Sequence, residues 1–542
     1  DNACDTSCNI CGATREVGAH QYDNACDRDY NYCGESREIN HSYDNACDTS
    51  CNVCGEVRAV GAHQYDNACD DVCNECGATR TVGDHINQNG DTNCDICNNP
   101  FMLELEFINN SSGYAVTGVK PEFEGNRVEI PDTYNGMPIT RIDGSAFSGC
   151  TNLVNVVISD SITSIGARAF ENCTSLVRVT LGEYSNLKSI QESAFYMCSS
   201  LVSIPLPDGV ERIEDSAFMN CSSLASIAIP DKVTSIAEFT FAGCNGLGSV
   251  QFGENSQLKN IEQYAFTGCS SLASIVIPDN VTQISEHAFY NCFGLRGVKF
   301  GENSKLSYIG QCAFLNCRNL TSFVIPDSVS TVGKGVLSGC SNLVEVTIPF
   351  VGATISGNTN NHFGYIFGAE SYTEHDDANI MPRRLTSGIV TKALTIPSNA
   401  FYKCSTLMSV TIPESVTSFG DQAFYGCNNV FISSFTVNYT GTLEQWLCID
   451  FLGSDSNPCG DYLYINGELL TELVIPETIT EIKKSAFEDC ESITSITIHD
   501  QVKSIGESAF SGCKNLAKVN IPDSVLSIGG FAFSFCTSLL EV

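Results

Sequence analysis

Apolar and polar residues alternate along most of the chain with a fixed period. In one unit, Leu224, Ile227 and Ile229 are separated by small or polar residues, a pattern typical of a strand that is buried on one face. A Pro-Asp pair then turns the chain, and Val233 and Ile236 mark a second short extended segment. The unit returns every 23 residues, or every 25 where a longer turn replaces Pro-Asp. One unit alone cannot hide its apolar side chains from water, so the pattern predicts a solenoid of stacked units.

A cysteine stands at the same place in each unit. These ladder cysteines are Cys150, Cys173, Cys198, Cys221, Cys244, Cys269, Cys292, Cys317, Cys340, Cys404, Cys427, Cys490, Cys513 and Cys536. Free cysteine is among the most buried residue types, and in-register stacking does not generally give the geometry of a disulfide, so we expect an interior stack of thiols. Cys312, Cys448 and Cys459 lie outside this register and are candidates for exposed or paired thiols.

The pattern divides the chain into three segments. Residues 1–100 form a Cys/His-rich array, and residues 101–145 contain short β-rich runs that we expect to cap the solenoid. Residues 146–542 predict a β-rich leucine-rich-repeat solenoid, with a parallel sheet of short strands and 3-10 turns, interrupted by insertions at about 350–395 and 430–468. Both ends of the sequence fall inside repeats, so we expect a fragment of a longer protein, with any secretion signal or anchor outside it.

The first hundred residues repeat three cysteines and one histidine with the spacing C-x3-C-x2-C-x8-H. The intact units are Cys4, Cys8, Cys11 and His20; Cys47, Cys51, Cys54 and His63; and Cys69, Cys73, Cys76 and His85. A defective unit keeps Cys26, Cys33 and His41, with Tyr30 in place of the middle cysteine, and a remnant holds Cys94 and Cys97. Three thiolates and one imidazole are the ligand set of a structural zinc site, so we predict small metal-ribbon-like modules that form a stalk.

Three alternatives to zinc stay open for this array. Disulfides are the first, although the 13 cysteines of the segment are an odd number and a disulfide framework gives the recurring histidines no role. Calcium is the second alternative and is less favoured than zinc, because the oxygen-rich stretch that begins at His85 has a histidine where a calcium-binding loop has aspartate. The third alternative is a reduced linker without metal.

The charge balance limits the class of partner. The chain carries 28 basic and 63 acidic residues, for a net charge of −35, and it has no basic block. Such a field repels nucleic acid and anionic lipid, so we expect no nucleic-acid partner. No apolar run is long enough to cross a bilayer.

The solenoid half resembles the BspA-like leucine-rich-repeat family of bacterial and protist surface proteins. The motif IPDSVxSIGxxAFxxC, present as IPDSVLSIGGFAFSFC at residues 521–536, carries the resemblance, which extends over nearly all of the chain from Ala146 onward. It implies extracellular or cell-surface display and binding of an extracellular protein or cell-surface ligand, without catalysis. We therefore expect a non-enzymatic adhesion or protein-binding molecule on a metal-stabilised stalk, with a passive spacer or scaffold as the alternative.

Two regions are candidates for contact with a partner. The insertions hold aromatic residues and two histidines, and from these we select Tyr365, Phe367, Tyr372, His375, Tyr439 and Trp446. The concave strand face presents a row of small residues that includes Ser226, Ser249 and Ser274. The opposing interpretations are that each insertion is an irregular turn with its own core and that the small residues only favour strands.

Catalytic residues are not predicted. A hydrolase would depend on His375 and Asp376, because outside the array only His375 is followed by two consecutive carboxylates, but no recognisable catalytic constellation surrounds this pair.

Overall fold

The structure is a computed structural model that describes residues 103–108, 113–120, 123, 125–355, 360–427, 435–453 and 455–540. The expected zinc ligands of residues 1–100 lie outside these described residues.

Nearly every turn of the solenoid contributes one longer strand to a common surface, which we call the strand face; the turn that contains Ser203 contributes only an isolated bridge to Arg178. These face strands are Arg127–Ile130, Asn155–Ile158, Arg178–Leu181, Ser226–Ile229, Ser249–Phe252, Ser274–Ile277, Gly297–Phe300, Ser322–Val324, Glu345–Ile348, Ser387–Val390, Ser409–Ile412, Thr436–Tyr439, Tyr462–Ile465, Glu472–Val474, Ser495–Thr497 and Lys518–Asn520. They run parallel wherever they pair with one another, and equivalent residues pair, as in Ser226 with Ser249 and Ile227 with Val250. The in-register stacking expected from the repeat is therefore present.

A second, two-residue strand follows the Pro-Asp or longer turn. These short strands are Ser164–Ile165, Ser189–Ile190, Arg212–Ile213, Ser235–Ile236, Asn260–Ile261, Gln283–Ile284, Tyr308–Ile309, Thr331–Val332, Thr395–Ile396, Ser418–Phe419, Asp450–Phe451, Glu481–Ile482, Ser504–Ile505 and Ser527–Ile528. Their apolar residue points inward in nearly every turn, as Ile236 and Ile261 do at 0% exposure. The core is thus one continuous column between the two sets of strands.

The third side of each turn is built by left-handed residues rather than by 3-10 helix. In one turn, Ser193 and Met197 have φ values of 56° and 59° and flank the buried Phe195. The Cys198 N–H donates to the Phe195 carbonyl at 3.1 Å, and the Phe195 N–H donates to Ala217 of the next turn at 2.8 Å. A left-handed residue interrupts the right-handed dihedrals that a 3-10 helix needs, so the predicted 3-10 turns are absent from the regular repeats that the structure describes.

The segment expected to be a cap combines a hairpin with the first stacked turn. Strands Leu103–Ile108 and Gly113–Val119 are antiparallel, and the second of them pairs in parallel with Met137–Ile142, which also pairs with Thr133–Tyr134. The face strand Arg127–Ile130 already pairs with Asn155–Ile158. Regular stacking along the face therefore begins within residues 101–145.

The first insertion replaces one turn by an irregular one. The 3-10 helix Phe363–Phe367 lies between two regular turns, because the Leu337 N–H donates to Ile366 and the Phe363 N–H donates to Ala400, both at 2.8 Å. A second 3-10 helix, Tyr372–Glu374, follows before the chain returns to the face at Ser387–Val390.

The second insertion adds strands to the face and a helix behind it. Between Thr436–Tyr439 and Tyr462–Ile465 lies the α-helix Leu443–Leu447, which begins with a capping box formed by Thr442 and Gln445. Strand Glu468–Leu469 then pairs antiparallel with Tyr462–Ile465 and ends this sheet. The next face strand, Glu472–Val474, belongs to a separate three-stranded sheet.

Candidate functional site

The strand face is exposed and almost uncharged over a long interval. Ser226, Ser249 and Ser274 occupy equivalent outward positions; Ser226 and Ser274 are exposed and Ser249 is half-buried. In the neighbouring row, Val276 is 59% exposed and Val324 is 50% exposed. The outward positions of the eight face strands from Ser226–Ile229 to Ser409–Ile412 include one lysine, Lys299, and one acid, Glu345. In a chain with a net charge of −35, this part of the surface is unusually neutral.

Three of the aromatic residues selected from the insertions lie in the interior. Phe367 is 1% exposed, Tyr439 is 1% exposed and Trp446 is completely buried. The Trp446 indole N–H donates to the Ala486 carbonyl at 2.9 Å, and its ring packs edge-on against Tyr439 at 5.2 Å between centroids. These side chains supply the core of their insertions and offer no surface to a partner.

The other selected residues of the first insertion lie close to one another. Tyr365 is half-buried, Tyr372 is 37% exposed, and His375 is buried at 3% exposure. The Tyr372 ring meets Tyr402 edge-on at 5.2 Å, next to a regular turn.

His375 sits at the centre of a chain of hydrogen bonds that fixes its tautomer. The Gly364 N–H donates to His375 Nε2 at 3.0 Å, so Nε2 carries a lone pair and the proton is on Nδ1. The protonated Nδ1 donates to the Tyr402 carbonyl at 2.7 Å and lies 3.4 Å from the Cys404 thiol. His362 approaches the same Nε2 with its Nδ1 at 3.1 Å and must be the donor there. Neutral His362 consequently has a bare Nε2.

Burial keeps both histidines neutral. Burial, together with a smaller effect of the adjacent His362, lowers the pKa of His375 to about 4. Burial likewise lowers the pKa of His362, against the opposing effect of Glu374. Asp376 contacts Lys403 at 3.9 Å, while both ring nitrogens of His375 are engaged by other groups. The structure therefore does not assemble the catalytic pair that a hydrolase would require of His375 and Asp376.

A cavity of about 450 Å³ adjoins His362. Its lining residues are Asn360, Asn361, His362, Glu370, Ser371, Tyr372, Pro397, Ser398 and Asn399. Three buried atoms have no hydrogen-bond partner among the described residues, namely His362 Nε2, Asn361 Oδ1 and Asn399 Oδ1. An unsatisfied buried polar atom costs about 1–3 kcal/mol, so such a group of three is unusual. The sequence does not predict this cavity, because Asn399 belongs to the next regular turn and is 37 residues from His362.

The cysteines outside the ladder fall in three different environments. Cys448 is exposed, Cys312 is half-buried and Cys459 is buried, and all three are free thiols. The expectation of an exposed or paired thiol is thus confirmed for Cys448 by its exposure, whereas Cys459 is buried and hydrogen-bonded to the ladder thiol Cys490 without a disulfide.

Comparison with known proteins identifies the repeat. Residues 140–257, 254–363, 386–444 and 458–542 match the family described as BspA type leucine rich repeat region, in six copies that cover more than half of the chain. The chain belongs to the BspA-type leucine-rich-repeat family. No curated protein matches this BspA-type chain.

Solved structures of bacterial repeat proteins are similar to it. A leucine-rich repeat protein of Bacteroides ovatus is 26% identical, with a TM-score of 0.46 over 81% of this chain and 98% of its own. A leucine rich cell surface protein of Faecalibacterium prausnitzii is 27% identical, with a TM-score of 0.39 over 64% of this chain and 96% of its own.

The residues that the structure describes contain neither a helix that could span a bilayer nor a ready-made metal cluster. In that part of the chain no helix has the length and apolar character needed to span a bilayer. Within the same residues, no three His, Cys, Asp or Glu side chains are grouped to hold a metal ion.

Proposed function

We propose that this BspA-type chain is a surface-displayed or secreted, non-enzymatic protein that binds an extracellular protein through its strand face. The observation that carries the proposal is the long neutral interval of that face, where small hydroxyls and exposed valines stand in register. Elsewhere the excess of acidic residues would repel an acidic partner, whereas here a flat partner surface can approach without desolvating charges.

Exposed apolar side chains support this choice of surface. Val276, Val324 and Val474 are each at least 50% exposed on outward positions of face strands. Covering them would remove apolar area from water, which stabilises a complex by about 25 cal/mol per Å² before association costs. The buried aromatics of the insertions cannot contribute in this way.

A charge-insertion experiment tests the proposal. Labelled full chain is applied to epithelial cell layers, with and without prior protease treatment of the cells, and bound label is measured. We expect protease-sensitive binding that the double variant Ser226→Arg/Ser274→Arg weakens at least tenfold, because bulky cations then stand on the neutral face.

The chain offers a matched control for these changes. Ser223 and Ser271 lie three residues earlier in the same turns, are exposed, and are off the face strands. Ser223→Arg/Ser271→Arg should bind like the wild type. Equal binding by all three proteins would remove the strand face from consideration, and no binding at all would favour the passive spacer.

We also propose that the Cys/His array holds structural zinc and forms a stalk. Support comes from the ligand spacing of three intact Cys3His units in the sequence. Elemental analysis of anaerobically purified full chain should give about three zinc ions per molecule, and fewer in Cys8→Ser/Cys51→Ser. Metal-free protein whose array thiols are oxidised would instead establish disulfides.

A further inference from the structure

The cavity of the first insertion is lined by two segments distant in sequence. Asn360, Asn361, His362, Glu370, Ser371 and Tyr372 come from the insertion, whereas Pro397, Ser398 and Asn399 come from the following regular turn. Because the regular turn is held by the solenoid's own stacking, one wall of the cavity is rigid. At about 450 Å³, the cavity has the size of a site for a small organic molecule rather than for a single ion.

The orientation of His362 makes that residue a hydrogen-bond acceptor toward a ligand. Its Nδ1 proton is committed to His375 Nε2, whose own lone pair is fixed by the Gly364 N–H at 3.0 Å. The opposite nitrogen, Nε2, is buried and has no partner among the described residues, in a side chain that is only 6% exposed. A lone pair held in this manner is satisfied only by a molecule that brings a donor.

Two amide groups of the cavity wall also present acceptors that require a hydrogen-bond donor from a ligand. Asn361 Oδ1 and Asn399 Oδ1 are buried acceptors without a described partner. Asn399 has a φ of 57°, at a position where each regular turn places a left-handed residue, so its backbone is fixed by the fold. The wall therefore presents three acceptors, two serine hydroxyls and a partly exposed tyrosine ring.

The charges around the cavity argue for a neutral ligand. Both histidines are neutral, and Glu370, the carboxylate of the lining, is paired with Lys334. An ammonium ligand would lose its hydration without an unpaired carboxylate to compensate, whereas hydroxyl groups can donate to bare acceptors and accept from serine and amide N–H groups. Tyr372 lines the cavity and is 37% exposed, so it adds an aromatic ring against which an apolar sugar face can pack.

We propose that this cavity binds a small neutral saccharide, one of whose hydroxyl groups donates to His362 Nε2. The site is separate from the strand face, and its occupancy does not depend on the protein-binding function proposed above.

The test measures binding of neutral monosaccharides and disaccharides to the full chain by saturation-transfer NMR and calorimetry. The panel includes glucose, galactose, N-acetylglucosamine, mannose and their disaccharides, together with spermidine and lysine amide as cationic probes. We expect at least one saccharide to bind, and His362→Phe and Asn361→Leu each to weaken it at least tenfold. Asn361→Leu removes an unpartnered amide oxygen, so its melting temperature should not fall.

His287→Phe is the matched control. Its ring stacks on Tyr264, which in turn stacks on Phe239, so a phenylalanine fits the same row of side chains away from the cavity. This variant, and Ser226→Arg/Ser274→Arg on the strand face, should keep full saccharide affinity. The proposal is overturned if no saccharide of the panel binds, if only the cationic probes bind, or if affinity survives both cavity substitutions.

Discussion

At the scale of single residues, the ladder cysteines act as buried hydrogen-bond donors. Cys221 Sγ lies 3.1 Å from the Phe195 carbonyl of the preceding turn, and Cys244 Sγ lies 3.1 Å from that of Phe218. Burial raises the pKa of Cys244 and of Cys292 to about 12, which suppresses the reactive thiolate. The thiol thus fills a small interior space and also satisfies a carbonyl between turns.

Thiol alkylation should separate buried from exposed cysteines. With native protein at pH 8, iodoacetamide should modify Cys448 rapidly and leave Cys244, Cys292 and Cys340 intact, as read by peptide mass spectrometry. In denaturant all four should react at similar rates. Native labelling of Cys244 at the rate of Cys448 would contradict an interior ladder.

Two ladder cysteines near the insertions have different partners. Cys404 lies 3.4 Å from His375 Nδ1, and Cys490 lies 3.4 Å from Ser492 Oγ, whereas the regular turns use a phenylalanine carbonyl. The repeat sequence is unchanged at both positions, so the altered contact comes from the neighbouring irregular turn. A periodic signal alone cannot reveal such a difference.

At the scale of elements, the first insertion depends on neutral histidines. His375 must stay unprotonated at Nε2 to accept from Gly364 and His362, and burial lowers its pKa from 6.5 to about 4. The unfolded chain takes up a proton near pH 6.5 and the folded chain only near pH 4. The contribution of His375 is therefore complete above pH 6.5 and is lost as the pH falls from there toward 4, by at most about 3 kcal/mol.

Acidification should accordingly loosen the first insertion before the regular turns. Limited proteolysis of the full chain between pH 7 and 4.5, with an acid-tolerant protease, should show cleavage near Phe363–Phe367 increasing as the pH falls. His375→Gln should be cleaved more readily already at pH 7 and should show a weaker pH dependence. If cleavage at this segment is independent of pH in the wild type, the neutral histidine pair does not stabilise it.

At the scale of the whole molecule, the phenylalanine rings of successive turns form stacks that are interrupted at the insertions. From Phe147 to Phe314 successive rings are nearly parallel at 4.9 to 5.6 Å. Leu337 and the first insertion interrupt this stack, which resumes with Phe401 and Phe424 and again with Phe487 and Phe510. Since each turn contacts mainly its neighbours, the interruptions separate blocks of different stability.

The single tryptophan allows these blocks to be distinguished. Trp446 is buried in the second insertion, so its emission should be blue-shifted in the native protein and should report the unfolding of that region. We expect the urea midpoint from Trp446 emission to lie below the midpoint from far-ultraviolet circular dichroism, which averages over all turns. Coincident midpoints would show that the repeats unfold as one cooperative unit.

The features that recur in every turn could be predicted from the sequence, whereas those of the irregular turns could not. The spacing of Leu224, Ile227 and Ile229 predicted the parallel stacking. The recurrence of one cysteine at the same position of each repeat predicted the burial of cysteines such as Cys244. The prediction of 3-10 turns in the regular repeats was wrong, because Ser193 and its counterparts adopt left-handed φ values despite carrying side chains. The cavity could not be foreseen, since it depends on Asn399 meeting His362 across an irregular turn that has no periodic pattern.

The left-handed residue before each ladder cysteine has a consequence for engineering. Six turns place glycine there, at Gly149, Gly243, Gly268, Gly339, Gly426 and Gly512, while Met197, Lys403 and Phe535 hold the same dihedral with a side chain. Copying glycine from one turn into another would relieve strain of about 1 kcal/mol at each site. Substitutions that raise the thermal stability of this protein can therefore be chosen by comparing equivalent positions of its turns, because a neighbouring turn already accommodates the new residue in the same backbone conformation.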